Sequence, residues 1–119
     1  MTEAKKLVET ITEGIQEKKG KDILVADMTG IEGAICSYFV VCTGASPTQV
    51  DAITDAVEEQ TRVKMGEKPV RVVGRENAQW VAMDYTDVLV HIFLPDVRAF
   101  YDLENLWEDA PMERIADVD

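Results

Sequence analysis

The sequence predicts an α/β (α+β) protein, a mixed sheet of about five strands with flanking helices. Three observations predict it. Residues 88 to 94, VLVHIFL, alternate Val88, Val90, Ile92 and Leu94 with Leu89, His91 and Phe93. A run so apolar on both faces reads as a central strand covered on both sides. Two other stretches, near residues 4 to 15 and 50 to 65, carry apolar residues at helical spacing. The order is helix, two strands, helix, three strands, then short helices. A chain of 119 residues suits one domain with one core.

Residues 2 to 19 read as the first helix. Thr2 caps it, Glu3 suits the positive end of its dipole, and Ala4, Leu7, Val8, Ile11 and Ile15 form one stripe. Lys18 and Lys19 suit the far end, where Gly20 takes the left-handed stop. Gly14 lies mid-helix at a cost of about 1 kcal/mol against alanine, and its missing side chain permits close packing. Residues 23 to 26 form a short buried strand, 28 to 37 a loop with Gly30 and Gly33, and 38 to 43 another strand. Ser46 then caps a helix, Pro47 takes its first position and Gln49 completes a capping box. This helix runs through Val50, Ile53 and Val57 to Met65, where Gly66 ends it.

Residues 70 to 73 make a short strand after Pro69, and 74 to 78 a polar connection. In the next strand Trp80, Ala82 and Asp84 alternate with Val81, Met83 and Tyr85. Tyr85 and Thr86 turn it into the central strand as an antiparallel hairpin. Pro95 ends that strand, because it has no N–H for a ladder and its fixed φ suits a helix start. Val97, Phe100, Tyr101, Leu103, Leu106 and Trp107 follow at helical spacing, broken into two short helices. The domain therefore spans residues 1–109, and residues 110–119 form an acidic C-terminal tail expected to fray.

The net charge is −11, from 12 bases and 23 acids. Nucleic-acid binding draws most of its affinity from neutralised phosphates, and the only basic cluster is Lys18, Lys19 and Lys21. Direct nucleic-acid contact is therefore not expected to be the main one. The apolar runs are far too short to cross a bilayer, and MTEAKK has no apolar stretch of a secretory signal. With Cys36 and Cys42 as the only cysteines, a reduced, cytoplasmic setting is expected. One histidine and a C-x5-C spacing assemble no zinc site.

From Asp84 to Asp109 seven acids face a single base, Arg98. Acids interleaved with aromatics suit a surface made to touch something basic; a solvated acidic face beside an ordinary core fits equally. Trp80, Tyr85 and Trp107 have the same two readings, core or binding hot spot. Asp84 and Asp87 suggest a carboxylate pair for a metal, but no third ligand is evident. His91, in the most apolar strand, reads as a structural histidine rather than a general base. Thr43-Gly44-Ala45-Ser46 is a strand-to-helix turn of the kind that binds phosphate, yet it matches neither phosphate-loop pattern. No catalytic residue, metal or cofactor is expected.

The pattern W-x-x-x-D-Y-x-D-x-x-V-H-I-F followed by R-x-F-Y-x-L-E-x-L-W resembles the ribosomal silencing factor family, RsfS, also called Iojap. It is carried by Trp80, Asp84, Tyr85, Asp87, Val90, His91, Ile92, Phe93, Arg98, Phe100, Tyr101, Leu103, Glu104, Leu106 and Trp107. Lys19 to Ile23 with Asp27, and Val40 to Gly44 with Ser46, are similar to two further blocks of the family. The resemblance covers about residues 5 to 109, and three ordered blocks make it specific. It implies a mixed sheet resembling the nucleotidyltransferase fold. It also implies a repressor of translation that docks on a basic ribosomal protein at the subunit-joining face of the large ribosomal subunit. The contacts it implies are Trp80, Met83, Asp84, Tyr85 and Asp87, then Arg98, Tyr101 and Glu104, some of this second group only supporting the fold. Many relatives have an acid at Ser37, an acid at Val73 and a glycine at Thr86, so the turn at Thr86 is expected to differ or to be mildly strained. Two other readings stand beside this one. A nucleotidyltransferase-like enzyme would need a Gly-Ser pair and a following Asp-x-Asp, which Gly44-Ala45-Ser46 and its surroundings lack. A homodimeric adaptor protein would join through an apolar surface.

Overall fold

The computed structural model describes residues 3–103, 105 and 109–117. Helix α1 (Glu3–Glu17) leads to β1 (Lys21–Asp27) and β2 (Tyr38–Thr43); α2 (Pro47–Met65) follows. Then come β3 (Arg71–Val73), β4 (Trp80–Asp84), β5 (Val88–Phe93), α3 (Pro95–Tyr101) and β6 (Met112–Ile115). The six strands form one mixed sheet in the order β3-β4-β5-β2-β1-β6. Only β2 and β5 pair in parallel, Tyr38 opposite Val88 through Thr43 opposite Phe93; the other neighbours are antiparallel.

Both long helices cover the same face. Leu7, Val8, Ile11 and Ile15 of α1 and Val50, Ile53 and Val57 of α2 pack on Ile23, Val25, Val40, Cys42, Val81, Met83, Val88, Val90 and Ile92. Glycines let the helices approach this closely. A Cβ on Gly14 would stand 3.0 Å from the Val57 Cα, and one on Gly20 would meet the Ile15 Cγ2 at 2.4 Å. The left-handed stop expected at Gly20 falls on Lys19 instead (φ 59°). Gly20 is needed for the space it leaves rather than for its backbone freedom.

Helix α2 begins and ends where its cap residues place it. Ser46 Oγ accepts from Gln49 N at 3.1 Å, and Gly66 closes the helix at φ 66° with its N–H on Arg62 O. Gln49 reaches one residue further back than a capping box requires, accepting from Ala45 N at 2.6 Å. Its amide also donates to Lys18 O and Lys19 O, which bolts the start of α2 to the end of α1.

Two expectations change. The sheet has six strands rather than about five, because residues 112 to 115 pair with β1 instead of fraying. Ile115 lies opposite Ile23 and packs against the helix-side core. Gln16 Nε2 donates to Ala116 O at 3.0 Å, and Asp27 N donates to Pro111 O at 2.9 Å. Nothing in MERI repeats with an apolar period; what holds it is the backbone edge that β1 would otherwise leave open. The cover of the central strand is also uneven: both long helices lie on one face, and Leu89 and His91 on the other are only half-buried. Its second face meets the loop of residues 28 to 37 at one end and α3 at the other. The expected cap Thr2, the contact residue Glu104, and Leu106 and Trp107 lie outside the described residues.

Candidate partner-binding face

The period of two along each strand sorts residues between the two faces. Trp80, Ala82 and Asp84 of β4 lie opposite Phe93, His91 and Leu89 of β5. Phe39, Val41 and Thr43 of β2 extend this second face on one side, and Arg71 and Val73 of β3 on the other. Ala26, Met28, Cys36, Phe39 and Ala110 form a small second core under the 28–37 loop, with Ile31, Ala34 and Leu89 packed on it. Beyond that loop the face is aromatic. Trp80 stacks on Phe93 at 5.0 Å and leans on Tyr101 at 4.7 Å, while His91 lies between Phe39 and Phe93 at 5.9 and 6.0 Å. Trp80 remains partly accessible and Tyr101 is 49% exposed. A cleft of about 520 Å³ opens here, lined among the described residues by Ile31, Ile35, Phe39, Trp80, Leu89, His91 and Leu103.

His91 is structural, as expected. The Trp80 indole Nε1–H donates to its Nδ1 at 3.0 Å, so the ring is neutral with its proton on Nε2. Burial among apolar neighbours pushes its pKa down to about 4. Both cysteines are buried as well. Burial raises Cys36 to about 11 and Cys42 to about 12, which keeps both as thiols.

The expected contact residues divide between the two faces. Trp80, Asp84 and Tyr101 belong to the aromatic face, with Asp87 exposed in the hairpin turn. Met83 does not: the alternation that turns Trp80 outward turns Met83 inward, fully buried among Val81, Val88 and Val90. Tyr85 is also core; its hydroxyl lies 2.9 Å from Thr61 Oγ1 on α2, and burial raises its pKa to about 12. Both side chains are buried in this structure. Arg98 is buried too, donating from Nη1 to Asp22 O at 2.7 Å and to Thr43 Oγ1 at 2.8 Å. It ties α3 to β1 and β2, a fold-supporting role.

The hairpin turn carries the strain expected of a residue that is not glycine. Thr86 sits at φ 75°, held by a 2.7 Å hydrogen bond from its N–H to Asp84 Oδ1. That bond commits one Asp84 oxygen to the turn, and among the described residues no cluster of three or more potential metal ligands occurs. The Thr43–Ser46 turn is filled by its own protein: Ser46 caps α2, and a Cβ on Gly44 would meet the Val50 side chain at 2.8 Å. No described helix is long and apolar enough to cross a membrane.

Residues 1–119 match the family model described as ribosomal silencing factor during starvation, RsfS. The chain belongs to the RsfS family. It is 37% identical over 115 residues to the ribosomal silencing factor RsfS of Bacillus subtilis, covering 97% of this chain and 93% of that one. A solved structure of a Chromobacterium violaceum protein superposes with a TM-score of 0.83 at 35% identity, covering 89% of this chain and 87% of that chain. The mouse protein named mitochondrial assembly of ribosomal large subunit protein 1 is 27% identical over 95 residues, 78% of this chain and 41% of that protein. Membership in RsfS supports a ribosome-associated silencing role, and relatives named as silencing factors fit a protein that is not an enzyme.

Proposed function

We propose that this RsfS-family protein represses translation by occupying the large ribosomal subunit. Its aromatic face meets a basic ribosomal protein at the subunit-joining surface and sterically blocks the small subunit. The observation that carries the reading is a half-open aromatic face with Asp84 and Asp87 at its turn end, in a chain matched by the RsfS model throughout. The relative named for assembly of the mitochondrial ribosomal large subunit supports the choice of subunit. Trp80 and Tyr101 supply the kind of rigid aromatic anchor that dominates binding energy. The charge of −11 favours a basic partner through steering. A ribosomal partner also implies work in the cytoplasm.

Sedimentation tests the reading. Purified protein should comigrate with isolated large subunits and reduce formation of complete ribosomes in proportion to occupancy, with no nucleotide added. Excess small subunit should relieve the effect by mass action. Stoichiometric binding that leaves joining untouched would sink the steric account. Inhibition at strongly substoichiometric protein would point to an enzyme instead.

A further inference from the structure

We propose that His91 is a positioning residue for Trp80, its Nδ1 accepting the indole N–H and so fixing which edge of the indole the sheet presents to a partner. The inference rests on the docking reading of the aromatic face.

An accessible tryptophan on a strand has several staggered rotamers open to it. Three described rings confine Trp80: Phe93 directly across the ladder, Tyr101 from α3, and His91 on the diagonal. The first two supply apolar contact, which any large hydrophobe in their place would also supply. Of these three, His91 alone holds a particular atom of the indole, at 3.0 Å. The residue opposite His91 is Ala82, whose methyl group leaves the diagonal from the imidazole to the indole open. The imidazole is itself held nearly parallel to the rings of Phe39 and Phe93, at interplanar angles of 19° and 16°. Phenylalanine or leucine would fill such a slot in a stack, so packing alone does not call for an imidazole. What the imidazole adds is an acceptor inside an otherwise apolar patch. Burial keeps it neutral and its Nδ1 lone pair available throughout the physiological pH range.

The consequence concerns recognition. With its single polar atom spent internally, Trp80 offers the partner only carbon. A counter-surface built on a hydrogen-bond acceptor for the indole gains nothing, whereas an apolar side chain fits. Without His91, the N–H is either stranded in the patch or turned towards water, and both rearrange the anchor.

The test uses the full chain and two readouts. In nitrogen–proton spectra, with the Trp80 indole signal identified by its loss in Trp80→Phe, His91→Leu should shift that signal and speed its hydrogen exchange about tenfold. His91→Asn, whose Oδ1 can stand near the lost Nδ1, should restore slow exchange. Affinity for isolated large subunits should fall about five- to tenfold in His91→Leu and recover in His91→Asn. Should the leucine variant not fold, His91→Phe, which continues the ring stack, takes its place. Unchanged indole exchange in the variant without an acceptor overturns the proposal. So does wild-type affinity in that variant, which leaves the docking reading intact. If the wild-type protein does not bind large subunits at all, the docking reading fails and the role given to His91 fails with it.

Discussion

The two faces of the sheet are built from different materials. Under α1 and α2, Ile23, Val40, Val81, Val90 and Ile92 meet Ile11, Ile15, Ile53 and Val57, and every one is buried. Aliphatic side chains there fill volume, and neighbours of similar size could exchange at modest cost. On the other face Phe39, Trp80, His91, Phe93 and Tyr101 form a ring-on-ring array with a hydrogen bond inside it. Rings have preferred contact geometries, and the Trp80–His91 bond has a direction, so this face specifies positions as well as volume. The helix face explains why the chain folds. The aromatic face remains partly open at Trp80 and Tyr101, as the proposed docking surface needs.

The largest effect should come from the helix face. Met83→Ala empties a fully buried site and should lower unfolding free energy by about 2–5 kcal/mol, read from the denaturant midpoint. Where the variant remains folded, its affinity for large subunits should match the wild type. Lost affinity at unchanged stability would make Met83 a contact after all and break the division between the faces.

Trp80→Ala should do the reverse. Removing the anchor should weaken large-subunit binding by at least ~2 kcal/mol, with subunit joining restored in parallel. Its stability loss should be the smaller of the two, because the side chain is only partly buried. A variant that unfolds outright would assign Trp80 to the core and leave the aromatic face without its anchor.

Much of this division was legible in the chain. Alternation along residues 80 to 85 and the caps Ser46 and Gly66 located β4 and α2 closely, because each signal is local and physical. The same alternation turns Met83 and Tyr85 inward, away from the face where the family resemblance implies contacts: motif positions say which residues recur, not which way they point. Arg98 has no local sign of burial, since its acceptors Asp22 O and Thr43 Oγ1 are 76 and 55 residues away. Strand β6 was hidden for a related reason, its partner being a backbone edge rather than an apolar pattern. The Trp80–His91 bond could have been suspected from two polar-tipped rings eleven residues apart across one hairpin, but only the register shows that they meet on a diagonal.

A milder test separates charge from the anchor. Asp84→Asn with Asp87→Asn removes two charges while leaving an acceptor at residue 84 for Thr86 N. Association with large subunits should slow by roughly threefold to tenfold at low salt, and the difference should vanish as salt is raised. Dissociation should change little, because rim charges act mainly on the encounter. A rate that responds to neither substitution nor salt would remove the electrostatic part of the proposal and leave the aromatic part standing.

The smallest effect lies in the turn that joins β4 and β5. Thr86 at φ 75° is β-branched, which makes the left-handed region unfavourable for it. Its N–H bond to Asp84 Oδ1 holds the residue there. Glycine occupies the same region without strain, so Thr86→Gly should relieve about 1 kcal/mol in the folded state. Glycine also enlarges the conformational freedom of the unfolded chain, which offsets much of that gain. The net expectation is a stabilisation of roughly 0.5 kcal/mol, seen as a small rise in Tm. Because Thr86 points into neither core, affinity for large subunits should not change. A marked gain in affinity would instead show that turn geometry, rather than the ring array alone, sets how Asp84 and Asp87 meet the partner.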